Sequence, residues 1–242
     1  MAAPRKIKAV VTLIRYYKYG ITFYRLKPEI ACKFKPGQFL HLAIDPYDPS
    51  FNWPESRVFS IANSPSRPDQ IDILVSPKGV FTHRMIKDLK VGSEVWIKLP
   101  FGVFDFRDSL NSSVVLIAGG TGISPFISFL ESLSVTPVNY NNLRLIYGVR
   151  DPELIVFDGF LSECVVKLPR FELNIYIEHD TDYPKFNINK GMIPVDQVVN
   201  ETKQLPGPVF YLSGPAAMIG AFDKSLKIAC IPENKILFDK WE

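Results

Sequence analysis

The chain has 242 residues, enough for one large domain or two compact ones, each with its own core. Hydrophobic residues make up 47% and charged residues 22%, a balance that excludes a disordered or coiled-coil chain. With 28 basic and 25 acidic residues the formal charge is +3, too even for nucleic-acid binding through bulk electrostatics, so no nucleic-acid partner is expected.

From Lys6 to about Phe106, short alternating runs are broken by turn residues, the pattern of a closed antiparallel barrel. Six strands are expected: Lys6 to Tyr16, Ile21 to Lys27, Gln38 to Ile44, Arg57 to Asn63, Gln70 to Ser76 and Glu94 to Lys98. Pro46, Pro49 and Pro54 make the stretch between the third and fourth a loop. One short helix, Thr82 to Leu89, follows Gly79. The polar segment Phe106 to Ser112 is the expected hinge, which divides the chain into residues 1–108 and 109–242.

Beyond the hinge, apolar runs alternate with helical periodicity, as in a parallel sheet built from strand-helix-strand units. The five expected strands are Ser113 to Ala118, Leu143 to Val149, Leu173 to Glu178, Val209 to Leu212 and Lys235 to Phe238. Helices are expected over Ser124 to Leu133, Glu153 to Val166 and Pro215 to Ile228. Val114 to Ala118 and Phe126 to Leu130 are far shorter than the roughly 20 apolar residues of a membrane span, so no transmembrane segment is expected. The N-terminus enters a strand without an apolar signal core, which leads to the expectation of a cytoplasmic protein. Cys32, Cys164 and Cys230 are dispersed, and His41, His83 and His179 have no ligand spacing, so no metal site is expected.

Two motifs carry chemistry. In the first, the buried strand Val114 to Ala118 runs into Gly119, Gly120, Thr121, Gly122, Ile123, Ser124 and Pro125. Glycines let a phosphate approach the main chain, and free amides at a helix start attract its charge. Ser124 suits an N-cap and Pro125 a first helical position. Simple strand-to-helix punctuation is the competing reading of such a turn taken alone. In the second, alternation along Arg57, Val58, Phe59 and Ser60 puts the cation and the aromatic ring on one face. A solvated strand edge would look the same. Gly79, Val80, Phe81 and Thr82 offer a further anion site at a helix start.

Together with Phe34 to Phe39, Pro100 to Phe104, Leu145 to Arg150 and Tyr211 to Met218, these motifs stand in an order that resembles the ferredoxin-NAD(P) reductase superfamily. Arg57 to Ser60 is similar to that family's R-x-Y-S flavin motif, with Phe59 for tyrosine, and Gly120 to Pro125 to its G-T-G-x-S-P loop. The resemblance implies a two-domain β plus α/β architecture. An N-terminal antiparallel six-stranded FAD-binding β-barrel would precede a C-terminal Rossmann-like, parallel five-stranded nucleotide-binding domain, here without a fused ferredoxin domain.

The same resemblance implies roles. Arg57, the amides of Gly79, Val80 and Phe81, and Thr82 would hold the FAD pyrophosphate. Phe59 would lie along the isoalloxazine, beside Val58, and Ser60 would donate near flavin N5. The main chain at Leu74, Val75 and Ser76 would contact the flavin. Gly120, Thr121, Gly122 and Ser124 would hold the dinucleotide, and Gly214, Pro215 and Met218 would shape its nicotinamide end. Ser213 stands where the family commonly has cysteine, and with Ser60 it is the candidate catalytic residue. Glu178 and Asp180 stand where NADP-preferring members carry serine and arginine, which implies NADH over NADPH, while Arg150 and Lys190 are the nearby cations. Either Trp241 covers the flavin, or Trp241 and Phe238 only cap the last strand.

The expected activity is hydride transfer from NADH to bound FAD, then single electrons to a separate acceptor such as a ferredoxin, an oxygenase component or a haem protein. A flavin reductase using flavin as a diffusing substrate, and a non-catalytic nucleotide-sensing subunit, are the alternatives.

Overall fold

A computed structural model describes residues 3–104, 106, 111–136, 139–179 and 183–239. The N-terminal elements are β1 (Arg5–Tyr16), β2 (Thr22–Pro28), β3 (Phe39–Ala43), β4 (Arg57–Ser60), β5 (Ile71–Val75), α1 (Val80–Asp88) and β6 (Glu94–Phe101). They form one antiparallel sheet in the order β4-β3-β6-β1-β2-β5. Period-two alternation decides which face is which. Ile7, Ala9 and Val11 of β1 and Val95, Ile97 and Leu99 of β6 are buried, while Lys6, Lys8, Trp96 and Lys98 between them face outward. The inward rows join Tyr24, Leu26, Leu40, Leu42, Ile71 and Ile73 in one core, which Phe81 and Met85 of α1 complete.

The sheet nearly closes into a barrel. Its edge strands β4 and β5 meet just past the end of β4, where Ala62 N–H donates to the Asp72 carbonyl at 2.8 Å. The Asn63 side chain stitches the same seam, accepting from Asp72 N–H at 2.8 Å and donating to the Gln70 carbonyl at 2.9 Å. Asp72 itself is buried, and Arg25 forks onto it at 2.9 and 3.0 Å. Residues Ser124–Ser132, the first part of a later helix, belong to this unit. There Ser128 Oγ donates to the Asn63 carbonyl at 2.7 Å, and Glu131 accepts from Ser64 N–H and Arg67.

The second unit comprises β7 (Ser113–Gly119), β8 (Asn142–Val149), α3 (Asp158–Lys167), β9 (Phe171–Ile177), β10 (Ile188–Lys190), α4 (Val195–Thr202), β11 (Pro208–Ser213), α5 (Ala216–Ile228) and β12 (Ile236–Phe238). The helix α2 (Ser124–Val135) follows β7. Every strand pairing is parallel, in the order β10-β9-β8-β7-β11-β12. All of β7 is buried, as expected of a central strand covered on both faces. Val115, Ile117, Phe210 and Leu212 pack with Val198 and Val199 of α4 and Phe222 and Leu226 of α5.

Three features correct the expectation from sequence. The parallel sheet has six strands, not five, because β10 pairs with β9 over Ile188–Lys190. This edge strand is three residues long and only its first is apolar, so it carries no alternation to read. The helix expected from Glu153 begins at Asp158, after a separate 3₁₀ turn at Pro152–Leu154, and α4 was not expected at all. Its apolar residues, Val195, Val198 and Val199, have helical spacing, but the helix is only two turns long.

Candidate functional site

Leaving β7, the chain builds β8, β9 and β10 to one side and then returns to place β11 on the other side of β7. In open α/β sheets this reversal opens a crevice at the carboxyl ends of the two central strands. Both ends carry glycine here. Ala118 and Ser213 are partners in register, and beyond them Gly119–Ile123 and Gly214–Pro215 meet backbone to backbone. A Cβ on Gly122 would lie 2.3 Å from the Ser213 carbonyl oxygen and 2.6 Å from Gly214 N. One on Gly119 would lie 2.6 Å from Pro215 Cδ, with Met218 Sδ at 2.9 Å. Gly214 has φ +148 and Gly120 φ +53, a region that only glycine enters freely. The helix α2 starts directly after this turn at Ser124. Thr121 lies in the turn and is half-buried. Glycine-walled loops against a helix start are what a dinucleotide phosphate requires.

Ser213 closes β11 and is fully buried. Its hydroxyl donates to Asp239 Oδ2 at 3.2 Å, and Asp239 N–H donates to the Leu212 carbonyl at 2.9 Å. Asp239 was not singled out from sequence. Its signal is a lone carboxylate directly after the apolar run Ile236–Phe238, which the structure buries beside the crevice.

At the ends of β8 and β9, His179 Nδ1 lies 2.7 Å from Asp151 Oδ1, and His179 N–H donates to the Arg150 carbonyl at 3.0 Å. Arg150 and Glu178 are exposed, as is Lys190 at the end of β10. The Asp151–His179 pair was also missed, because its members are 28 positions apart. Asp180 and Trp241 lie outside the described residues.

In the barrel unit, Arg57 is exposed, with Nη2 2.8 Å from Glu55 Oε1 and Nη1 donating to the Ser56 carbonyl at 2.9 Å. Its guanidinium stands 5.1 Å from the centre of the Phe81 ring, which brings the cation to the start of α1. Phe59 lies opposite Leu40 in register and joins the barrel core at 8% exposure, whereas Ser60 lies opposite Phe39 and is buried on the other side. Val58 is half-buried. Leu74 and Val75 are buried in β5, and Ser76 follows half-buried.

Gly79 precedes α1 in an extended conformation. Thr82 Oγ accepts from Gly79 N–H at 3.1 Å and Lys78 N–H at 3.0 Å, and donates to the Gly79 carbonyl at 3.0 Å. The hydroxyl thus caps its own helix. The first helical hydrogen bond runs from His83 N–H to the Gly79 carbonyl, so the amides of Val80 and Phe81 precede any helical pairing. Among the described residues, no group of three or more His, Cys, Asp or Glu side chains is placed to hold a metal ion.

Residues 116–224 match the oxidoreductase NAD-binding domain. The chain is 31% identical to the reductase component of propane 2-monooxygenase from Mycolicibacterium smegmatis, over 90% of this chain and 62% of that protein. It thus spans about three fifths of the length of the curated relatives it matches. Among solved structures, a cytochrome P450 reductase from Amycolatopsis is 25% identical with TM-score 0.82, over 98% of this chain and 70% of that one. A ferredoxin NADP+ reductase from Neisseria gonorrhoeae, solved with bound FAD and NADP, has the same fold, with TM-score 0.78 and 16% identity over 98% of each chain. The nearly closed six-stranded barrel followed by the parallel sheet with its glycine crossing is thus the fold that these solved reductases share, and residues 116–224 carry an oxidoreductase NAD-binding domain.

Proposed function

We propose that this chain is the flavin- and nucleotide-binding part of an NADH-dependent oxidoreductase that supplies electrons to a separate acceptor, such as an oxygenase component, a ferredoxin or a haem protein. The observation that carries the reading is the crossing of Gly119–Gly122 with Ser213–Gly214, where a Cβ on Gly122 would fall 2.3 Å from a carbonyl oxygen. Relatives that are reductase components of oxygenase systems support the acceptor class. Bound FAD supplies the chemistry of this class, taking a hydride from nicotinamide and releasing electrons one at a time.

In this reading residues 1–108 carry the flavin and 109–242 the nucleotide. Arg57 exchanges Glu55 for the FAD pyrophosphate, because a planar fork of donors fits phosphate oxygens. The start of α1, Gly79 to Phe81, adds amide donors, with Thr82 holding that helix start in shape. Phe59 and Val58 bound the flavin ring, Ser60 positions a hydroxyl near its reacting nitrogen, and Leu74 to Ser76 offer main-chain contacts. Gly120, Thr121, Gly122 and Ser124 hold the dinucleotide phosphates, while Gly214, Pro215 and Met218 border the nicotinamide. Ser213, tied to Asp239, fixes the floor of that end, and Trp241 is assigned to the flavin face.

Preference for NADH rests on Glu178, which is exposed at the end of β9, and on Asp180 in sequence, since carboxylates repel a 2′-phosphate and suit ribose hydroxyls. Arg150 is the adjacent cation. Cys32, Cys164 and Cys230 are free thiols, which suits the reducing cytoplasm, and no helix among the described residues is long and apolar enough to cross a membrane.

Anaerobic stopped-flow mixing of the flavin-loaded protein with NADH and with NADPH tests the proposal. The visible absorbance of the oxidised flavin bleaches with NADH and does so more slowly with NADPH. A flavin that stays oxidised with both nucleotides overturns the activity, and faster bleaching by NADPH overturns the preference alone.

A further inference from the structure

The outward face of β1, β6 and β3 carries a row of cations that the fold does not neutralise. Lys6 of β1 lies directly opposite Lys98 of β6, and Lys98 lies opposite His41 of β3. Like charges facing each other across an antiparallel pair destabilise the sheet. Among the described residues neither Lys6 nor Lys98 pairs with a carboxylate. Lys6 Nζ donates to the Tyr47 hydroxyl at 2.5 Å and stands 4.6 Å from the centre of that ring, and Lys98 Nζ stands 5.5 Å from the centre of Phe101. In the next row, Lys8 does find Glu94 at 3.1 Å, so the unpaired state is particular to the Lys6–Lys98 row. Burial, then the charge of Lys98, lowers the His41 pKa, so His41 adds no charge to the row at neutral pH.

Around this row the aromatic side chains form two clusters. Trp53 and Trp96 meet Tyr47 edge-on at 5.2 and 5.3 Å, and His41 meets Phe101 edge-on at 4.7 Å beside the stacked Phe39. Trp53, Trp96, Phe39 and Phe101 are half-buried, leaving apolar rims beside the ammonium groups. Tyrosine and tryptophan are the side chains that most often anchor protein contacts.

We propose that this face is a docking surface for an acidic protein partner, whose carboxylates neutralise Lys6 and Lys98 while its apolar side chains cover the rims of Trp53, Trp96 and Phe101. Protein is favoured over nucleic acid by the packing of the rings. Tyr47 is buried with Lys6 at its hydroxyl, and Phe101 is packed against Phe39 and His41, whereas bases need open faces on which to stack. A carboxylate needs only the ammonium groups. The inference stands on charge and register, and does not depend on the nucleotide preference proposed above.

The test uses the full ¹⁵N-labelled chain, following the indole N–H signals of Trp53 and Trp96 as poly-L-glutamate is added at about 0.15 M salt, where screening suppresses long-range attraction. The expected result is a saturable shift of both signals. It weakens about tenfold in the Lys6→Met/Lys98→Met variant, and stays unchanged in the Lys185→Met/Lys227→Met control. Both variants are checked for retained NADH binding. The proposal is overturned by an absence of indole shifts, or by equal weakening in the control. Tighter binding of oligo(dT) or of phosphatidylserine vesicles at the same signals also overturns it, in favour of those ligands.

Discussion

Two turns in this chain place a glycine ahead of a helix, and they look alike in sequence yet are built on opposite terms. At Gly119–Gly122 the main chain of one loop lies against the main chain of another, and an added Cβ on Gly122 would meet backbone at 2.3 Å. At Gly79 an added Cβ would meet nothing within 4 Å, and the residue is extended, a conformation any residue adopts. The first site is therefore shaped by the absence of side chains. The second depends on side chains brought to it, Arg57 from β4 and Thr82 from within α1. Glycine is obligatory in one and incidental in the other.

The largest effect should follow from breaking the crowded crossing. Gly122→Ala forces its methyl group into the Ser213 carbonyl, and neither backbone can yield without shifting β7 or β11. Overpacking of this kind costs about 1–3 kcal/mol, so thermal unfolding should come several degrees lower and titration with NADH should show little binding. A variant that melts and binds like the wild type would remove the distinction between the two turns.

Next comes Arg57→Ala. The side chain is exposed and its present partners are Glu55 and a neighbouring carbonyl, so the fold should melt within about 0.5 kcal/mol of the wild type. FAD affinity should fall about ten- to a hundredfold, the scale of lost charge-assisted hydrogen bonds. Arg57→Lys should restore little of it, because a point charge lacks the fork. Flavin fluorescence titration reads all of this, and unchanged affinity would separate Arg57 from the phosphate site.

Much of this contrast was legible in sequence, and its limits have physical causes. The strands of the barrel read cleanly because Ile7, Ala9, Val11 and Val95, Ile97, Leu99 alternate with polar or half-exposed residues. The run Ser113–Gly119 read as a buried parallel strand, since nothing in it is polar beyond its first residue. The edge strand Ile188–Lys190 and the short helix Val195–Thr202 escaped, being too brief for a period to accumulate. The glycines of both turns were visible, but which of them is required was not. That depends on what β11 sets against Gly122, and Gly122 and Ser213 are far apart in the chain. For the same reason Asp239 and the Asp151–His179 pair became candidates only once the fold had placed them.

A smaller effect is expected at Ser213. Ser213→Ala removes the hydroxyl that donates to Asp239 at 3.2 Å inside a buried pocket, at a cost of about 1 kcal/mol. If the pair fixes the floor of the nicotinamide end, flavin reduction by NADH should slow by more than NADH affinity falls. Equal loss of rate and affinity in stopped-flow measurements would leave Ser213 with a packing role only.

The smallest effect should come from Gly79→Ala, and it is the sharpest check on the comparison. The added methyl group has open space, and the backbone is already in a region open to alanine. Alanine is a poorer N-cap than glycine, but Gly79 caps α1 through no side chain, and Thr82 Oγ already accepts from the Gly79 and Lys78 amides. The loss in stability should stay below about 1 kcal/mol, with FAD affinity within about threefold of the wild type. Thr82→Val, by contrast, removes the acceptor of both amides and should cost more in melting temperature and in flavin binding than Gly79→Ala does. If Gly79→Ala proves the worse of the two, the helix start recognises its ligand through the main chain at Gly79 itself, and the two turns work by the same principle after all.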